Sequence, residues 1–190
     1  MMKKMILIGA LFLGLIGCAA SPVEPDRYYR LAPLESTNSQ FGEIVELRRI
    51  QAPGLLGGRA LLIAERTDPI IAREVRGSLW VSPPNLWLTD MILKRGFDGI
   101  RLVGEGAPSQ PRHRLNLKLD DLFIDMQNQQ TAVGLSGTLV FNESVHRIGC
   151  HETAPLASNG AVESAAMDSY HSALSRCTAD LNDQIIQVVR

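Results

Sequence analysis

The residues of this chain best equipped for covalent chemistry are its three cysteines, and they stand in two different settings. Cys18 closes the run Leu15-Ile16-Gly17-Cys18, behind Lys3, Lys4 and an apolar segment from Met5 to Gly17, and ahead of Ala19, Ala20 and Ser21. A positive start, a short apolar segment and small residues at its end make a secretory signal peptide, and the segment is shorter than the ~20 residues that span a bilayer as a helix. A leucine three positions before the cysteine resembles a bacterial lipobox. There the thiol receives a diacylglycerol, the chain is cut just before the cysteine, and the new amino terminus is acylated. Residues 1–17 are therefore expected to be a lipoprotein signal peptide, 18–26 a lipidated tether and 27–190 the folded domain. Ala19 stands where an aspartate usually marks inner-membrane retention, so the expected place is the periplasmic face of an outer membrane.

The other two cysteines, Cys150 and Cys177, form an even pair in an oxidising compartment. Either they bridge, closing a loop of about 27 residues worth roughly 3 kcal/mol in the chain-entropy model, or they pack as two small buried thiols. Cys150 lies in "VHRIGCHE" with His146 and His151. On a regular strand, neighbours such as Cys150 and His151 point to opposite faces, while His146 and Cys150 share a face but lie roughly 13 Å apart. Neither arrangement makes a cysteine–histidine dyad, and paired zinc-ligand spacings are missing. Ser136 in "VGLSGT" lacks the spacing of a nucleophile elbow, and "GLLGG" lacks the lysine and hydroxyl of a phosphate loop. Asp120, Asp121 and Asp125 read as residues of a solvated face and a turn. No catalytic residue, metal or cofactor is expected.

Charge excludes further classes. The chain has 19 basic and 20 acidic residues and a net charge of −1, which becomes −3 once Lys3 and Lys4 are removed with the leader. That balance offers no footprint for nucleic acid and no polybasic patch for an anionic membrane, so lipid would have to do the anchoring.

The elements that would position these residues follow from periodicity. Strands are expected in Arg27–Pro33, Gly42–Gln51, Ala60–Glu65, Ile70–Leu79 and Gly99–Val103, with "APGLLGG" a loop. Alternation is strongest in "HRLNLKLDDLFID" and "TAVGLSGTLVF", which with "VHRIGCHE" predict a three-stranded antiparallel meander with one wet face. After Asp120-Asp121 the apolar register moves from Leu115, Leu117 and Leu119 to Leu122 and Ile124, which predicts a bulge or bend. A helix is expected over Pro83–Arg95, capped by Ser82 and ended at Gly96. Met167, Tyr170, Leu174, Cys177, Leu181, Ile185 and Val188 repeat at helical spacing and predict a long terminal helix facing the core. The predicted fold is α+β: a single domain whose mostly antiparallel (mixed) sheet carries two main amphipathic helices. Leu55 and Leu56, between glycines, and Trp80 and Trp87, beside "SPPN", are the candidate partner interface.

Several blocks in this order resemble the ABC-type transport auxiliary lipoproteins, the paraquat-inducible protein C group: the cysteine of the lipobox, "YYRLAP", "ERTDPIIAREVRGSLWVSPP", the helix after it and the terminal helix. Val81-Ser82 departs from the pattern, since relatives often carry alanine and an acidic residue there. The resemblance implies a non-enzymatic outer-membrane lipoprotein working with a mammalian-cell-entry (MCE) type lipid-binding protein and its ABC permease and ATPase, moving phospholipid or other hydrophobic molecules between membranes. A homo-oligomer would suit a tube-shaped MCE partner. The alternatives are a structural lipoprotein of another outer-membrane assembly and a periplasmic lipid carrier. Lipidation has a direct check: Cys18→Ser is expected to abolish fatty-acid labelling of the protein in cells.

Overall fold

The computed structural model describes residues 24–37, 42–67, 70–108, 111–157 and 161–190. The leader, Cys18, Asp68 and Pro69 lie outside them. Strands β1 (Arg27–Tyr29), β2 (Glu43–Leu47), β3 (Ala60–Thr67) and β4 (Ile70–Trp80) are followed by helix α1 (Pro84–Arg95) and β5 (Ile100–Gly104). Then come β6 (His113–Asp125), β7 (Gln130–Phe141), β8 (Ser144–Pro155) and helix α2 (Val162–Val189). A 3-10 turn, Gly54–Gly57, occupies the expected "APGLLGG" loop.

All eight strands join one mixed sheet in the order β1-β4-β3-β6-β2-β5, with β7 beside β6 and β8 outside β7. The long ladders β6–β7, β7–β8 and β3–β4 are antiparallel. The shorter pairings β1–β4, β2–β5, β2–β6 and β3–β6 are parallel. Strand β6 is shared in an unusual way. One edge is paired along its length with β7, while the other is divided: Val45–Leu47 lies beside His113–Leu115, and Ile63-Ala64 beside Ile124-Asp125. Gln51 fills the gap between them, its N–H donating to Leu117 O at 3.0 Å and its carbonyl accepting from Leu119 N at 2.8 Å.

The bulge predicted at Asp120 is present, with Leu119 opposite Leu135 and Asp121 opposite Gly134. It keeps Leu115, Leu117, Leu119, Leu122 and Ile124 all in one core. Gly134 makes room there for the Asp121 side chain, since a Cβ would stand 2.7 Å from its Oδ2 and make it shift. Both helices enter the same core, α1 through Leu88 and Ile92 and α2 through Tyr170, Leu174, Cys177, Leu181 and Ile185. A small second cluster (Leu62, Ala64, Phe123 and Ala132) lies on the opposite face of the sheet.

Local chemistry adjusts some boundaries. Helix α1 starts one residue later than expected, and Pro83, not Ser82, is its N-cap, with φ −52° and ψ 139°. The cause is Pro84: a residue before proline is pushed out of the helical region, so the first of two prolines cannot be helical. Gly96 ends the helix at φ 71°, its N–H donating to Ile92 O at 2.9 Å. Asn142 and Glu143 both adopt positive φ, which closes the two-residue β7–β8 hairpin with the twist such turns need.

Helix α2 also ties down the last strand. Cys150 and Cys177 form a disulfide with Cα atoms 5.2 Å apart. Gln184 donates from Nε2 to Gly149 O at 2.7 Å and accepts at Oε1 from Gly149 N at 3.0 Å. Arg176 donates to Thr153 O and to Glu152 Oε2. Ser169 Oγ donates to Ala154 O at 2.6 Å and shares a hydrogen bond with Thr131 Oγ1.

Asp125 is a buried turn residue rather than a solvated one, 2 % exposed at the β6–β7 hairpin. Its Oδ1 accepts from the N–H groups of Gln127 and Asn128, both at 3.0 Å, and its Oδ2 from Asn128 Nδ2 at 2.7 Å. Burial alone would raise this carboxyl, but hydrogen bonds from Asn128, Gln130 and Gln127 outweigh it and hold the pKa below the usual carboxylate value. The group stabilises the fold above its ordinary pKa, and this is lost as pH falls through the lower folded value. Asp125→Ala is expected to cost about 2 kcal/mol near neutral pH, and the gap from wild type should narrow on acidification; urea unfolding at both pH values checks it.

Candidate functional site

After β1 the chain runs irregularly alongside α1. Val81 N donates to Tyr29 O at 3.0 Å at one end, and at the other Thr37 donates to Arg95 O from both its N–H (2.9 Å) and its hydroxyl (3.1 Å). Between those ties Leu31 and Leu34 turn inward and are buried. The segment therefore stands as a wall beside the helix, and a groove of about 480 Å³ is left between them. Tyr29, Leu31, Leu34, Trp87 and Met91 line its apolar part, and Arg30, Ser82, Asp90 and Lys94 its polar part. Val81 and Leu86 also line it and remain 52 % and 42 % exposed. Lys94 Nζ is paired with Asp90 Oδ2 at 2.7 Å.

An aromatic column backs the groove. Trp87 lies 5.3 Å from Trp80, centroid to centroid, and Trp80 lies 5.6 Å from Tyr170 of α2. Tilted contacts at these distances are favourable beyond their burial. The column carries a defect at each end: Trp87 Nε1 and Tyr170 Oη are buried without a hydrogen-bond partner among the described residues. Burial raises the Tyr170 hydroxyl pKa far above its usual value, so it stays neutral.

This geometry sorts the sequence candidates. Trp87 lines the groove, but Trp80 is only 2 % exposed and cannot meet a partner. It is removed from the candidate interface because the rings of Trp87 and Tyr170 pack against it. Leu55 is 47 % exposed, whereas Leu56 packs against both hydrophobic clusters; neither lines the groove. Sequence reasoning missed Leu31, Leu34, Val81, Leu86 and Met91 as one site. Its available signal was Leu86, an apolar residue outside the Leu88–Ile92 stripe of α1.

The polar candidates stay apart from the groove. Cys150 is committed to its disulfide, and His151 is exposed with Nε2 3.6 Å from Asp121 Oδ2. Burial raises the Asp121 carboxyl, and the opposing charge of His151 lowers it by less. Ser136 joins Asn116, Lys118, Thr138 and Arg147 around an open polar depression, where Lys118 Nζ is already paired with Asp120 at 2.7 Å. Among the described residues, no group of three His, Cys, Asp or Glu side chains could hold a metal ion, and no helix is long and apolar enough to cross a membrane.

The architecture, an α+β domain with a mixed eight-stranded sheet and two helices, has solved counterparts. One, the crystal structure of an uncharacterised protein, matches with a TM-score of 0.69 at 13 % identity over 85 % of this chain and 99 % of that one. Another is protein XCC0632 from Xanthomonas campestris, described as family DUF330, with a TM-score of 0.67 at 14 % identity over 82 % of this chain and 92 % of that one. At these identities the likeness establishes a shared fold. No family model matches the chain, and no curated protein matches its sequence.

The unpartnered hydroxyl gives a prediction opposite in sign to that for most core substitutions. Tyr170→Phe keeps the aromatic column and deletes an unsatisfied buried group, so it is expected to stabilise the fold by about 1 kcal/mol. Trp80→Ala, in contrast, should cost about 3–5 kcal/mol. Chemical denaturation of both variants checks the pair.

Proposed function

We propose that this chain is a non-catalytic lipoprotein, held through Cys18 at the periplasmic face of an outer membrane. There it serves as the auxiliary component of an MCE-type ABC system that moves lipid between membranes, and it docks that system at the outer membrane. The observation that carries the reading is the shared fold with a DUF330 protein over most of both chains, in a sequence whose blocks resemble the auxiliary lipoprotein family in order.

Physical chemistry agrees with this role. The block "IAREVRGSLWVSPP" builds β4 and the corner into α1, and that corner contributes Val81 and Ser82 to the groove. The near-neutral charge suits a protein held by acyl chains rather than by anionic headgroups. Leu55, exposed on its 3-10 turn, is available to a partner protein. A homo-oligomer is compatible with docking onto a tube-shaped partner.

The test is recovery of the assembly from native membranes. The full lipidated chain, tagged at its carboxyl end and purified in mild detergent, should bring with it an MCE-domain protein and the permease. Recovery of a different envelope assembly in their place overturns the reading.

A further inference from the structure

We propose that the groove between residues 29–34 and α1 is a binding site for one alkyl chain of an anionic amphiphile, with Arg30 meeting the head. This goes beyond the docking role, which requires no ligand within the domain.

The lining selects the chain. Leu31, Leu34, Met91 and the ring of Trp87 offer an apolar slot, and about 480 Å³ falls within the range of ~300–1,000 Å³ typical of small-molecule sites. Met91 is unbranched and adapts to an irregular guest. Val81 and Leu86 leave apolar surface in water at the lip, and a bound chain would cover it. A peptide suits the slot poorly. Its buried N–H and C=O groups would need partners, whereas the Leu31, Leu34 and Met91 side chains of the lining are apolar. An alkyl chain brings no such groups.

The rim selects the head. Lys94 is neutralised by Asp90 at 2.7 Å, but Arg30 has no ion-pair partner among the described residues. Among the described residues, the rim thus carries one positive charge without a salt bridge. A carboxylate or phosphate can accept two parallel hydrogen bonds from that guanidinium.

The protein carries its own reporter, because Trp80 and Trp87 are its only tryptophans and both belong to the column behind the groove. The full chain in nanodiscs of unbrominated phospholipid would be titrated with dibromostearic acid, whose bromines quench tryptophan on contact. Saturable quenching is expected. Leu86→Gln and Val81→Asn change exposed positions without adding charge, so they should fold as wild type by thermal unfolding, and each should weaken the apparent affinity about tenfold, equivalent to about 1.4 kcal/mol. Arg30→Glu should weaken the acid about fivefold while leaving the uncharged dibromostearyl alcohol unchanged. Quenching that never saturates and is equal in all three variants would reflect partition into the bilayer and overturn the site. Equal loss of acid and alcohol in Arg30→Glu would overturn the assignment of the head.

Discussion

The fold depends on one strand having two sets of neighbours on the same edge. Strand β6 spends one edge on β7 and divides the other between β2 at its start and β3 at its end. Thirteen residues are long enough for both, and Gln51 bridges the gap with a pair of backbone hydrogen bonds. The division works only if the apolar face of β6 survives along its whole length. The bulge at Asp120 secures this by resetting the alternation where the strand passes from one neighbour to the other, so that leucines before it and Leu122 and Ile124 after it reach the same core. β1 reaches the sheet only through β4 and β3, and β5 only through β2, so both depend on this arrangement.

The open edge of β8 is managed differently. A long edge strand exposes unpaired N–H and C=O groups that invite further strands. Here the side chains of α2 take up part of that edge, with Gln184 satisfying both backbone groups of Gly149 and Arg176 the carbonyl of Thr153. The disulfide between Cys150 and Cys177 adds a covalent tie to the same face.

Much of this was legible in the sequence because strands and helices write their burial into their periodicity. The β6–β7–β8 meander, the shift at Asp120 and the stripe of α2 all follow from which residues must avoid water. The parallel pairings were not legible, since alternation does not reveal which neighbour a strand takes. The start of α1 was displaced by a rule acting between two adjacent prolines. Trp80 misled because its flanking "SPP" suggested a surface corner, while Trp87 and, from far downstream, Tyr170 pack against it. The groove was invisible for a related reason: it is a gap between segments some fifty residues apart, and no single segment has a pattern that announces it. Leu31 and Leu34 read as ordinary apolar residues until the hydrogen bonds of Thr37 and Val81 hold their segment beside α1. Cys18 was read from a local motif alone.

The ties between α2 and β8 run in opposite order along the two elements: Ser169 to Ala154, Arg176 to Thr153, Cys177 to Cys150 and Gln184 to Gly149. Along a helix that interval covers about 22 Å, and along a strand about 17 Å, so the two lie nearly side by side. Sliding the helix by one turn, about 5.4 Å, or rotating it about its axis would break every one of these ties together. The terminal helix is thereby keyed to the sheet at a single setting and cannot act as a moving jaw. Any widening of the groove falls to α1 and the segment that faces it, which are tied by two hydrogen bonds from Thr37 to Arg95 O at one end and, at the other, by Val81 N to Tyr29 O just before the helix, none with a disulfide's permanence.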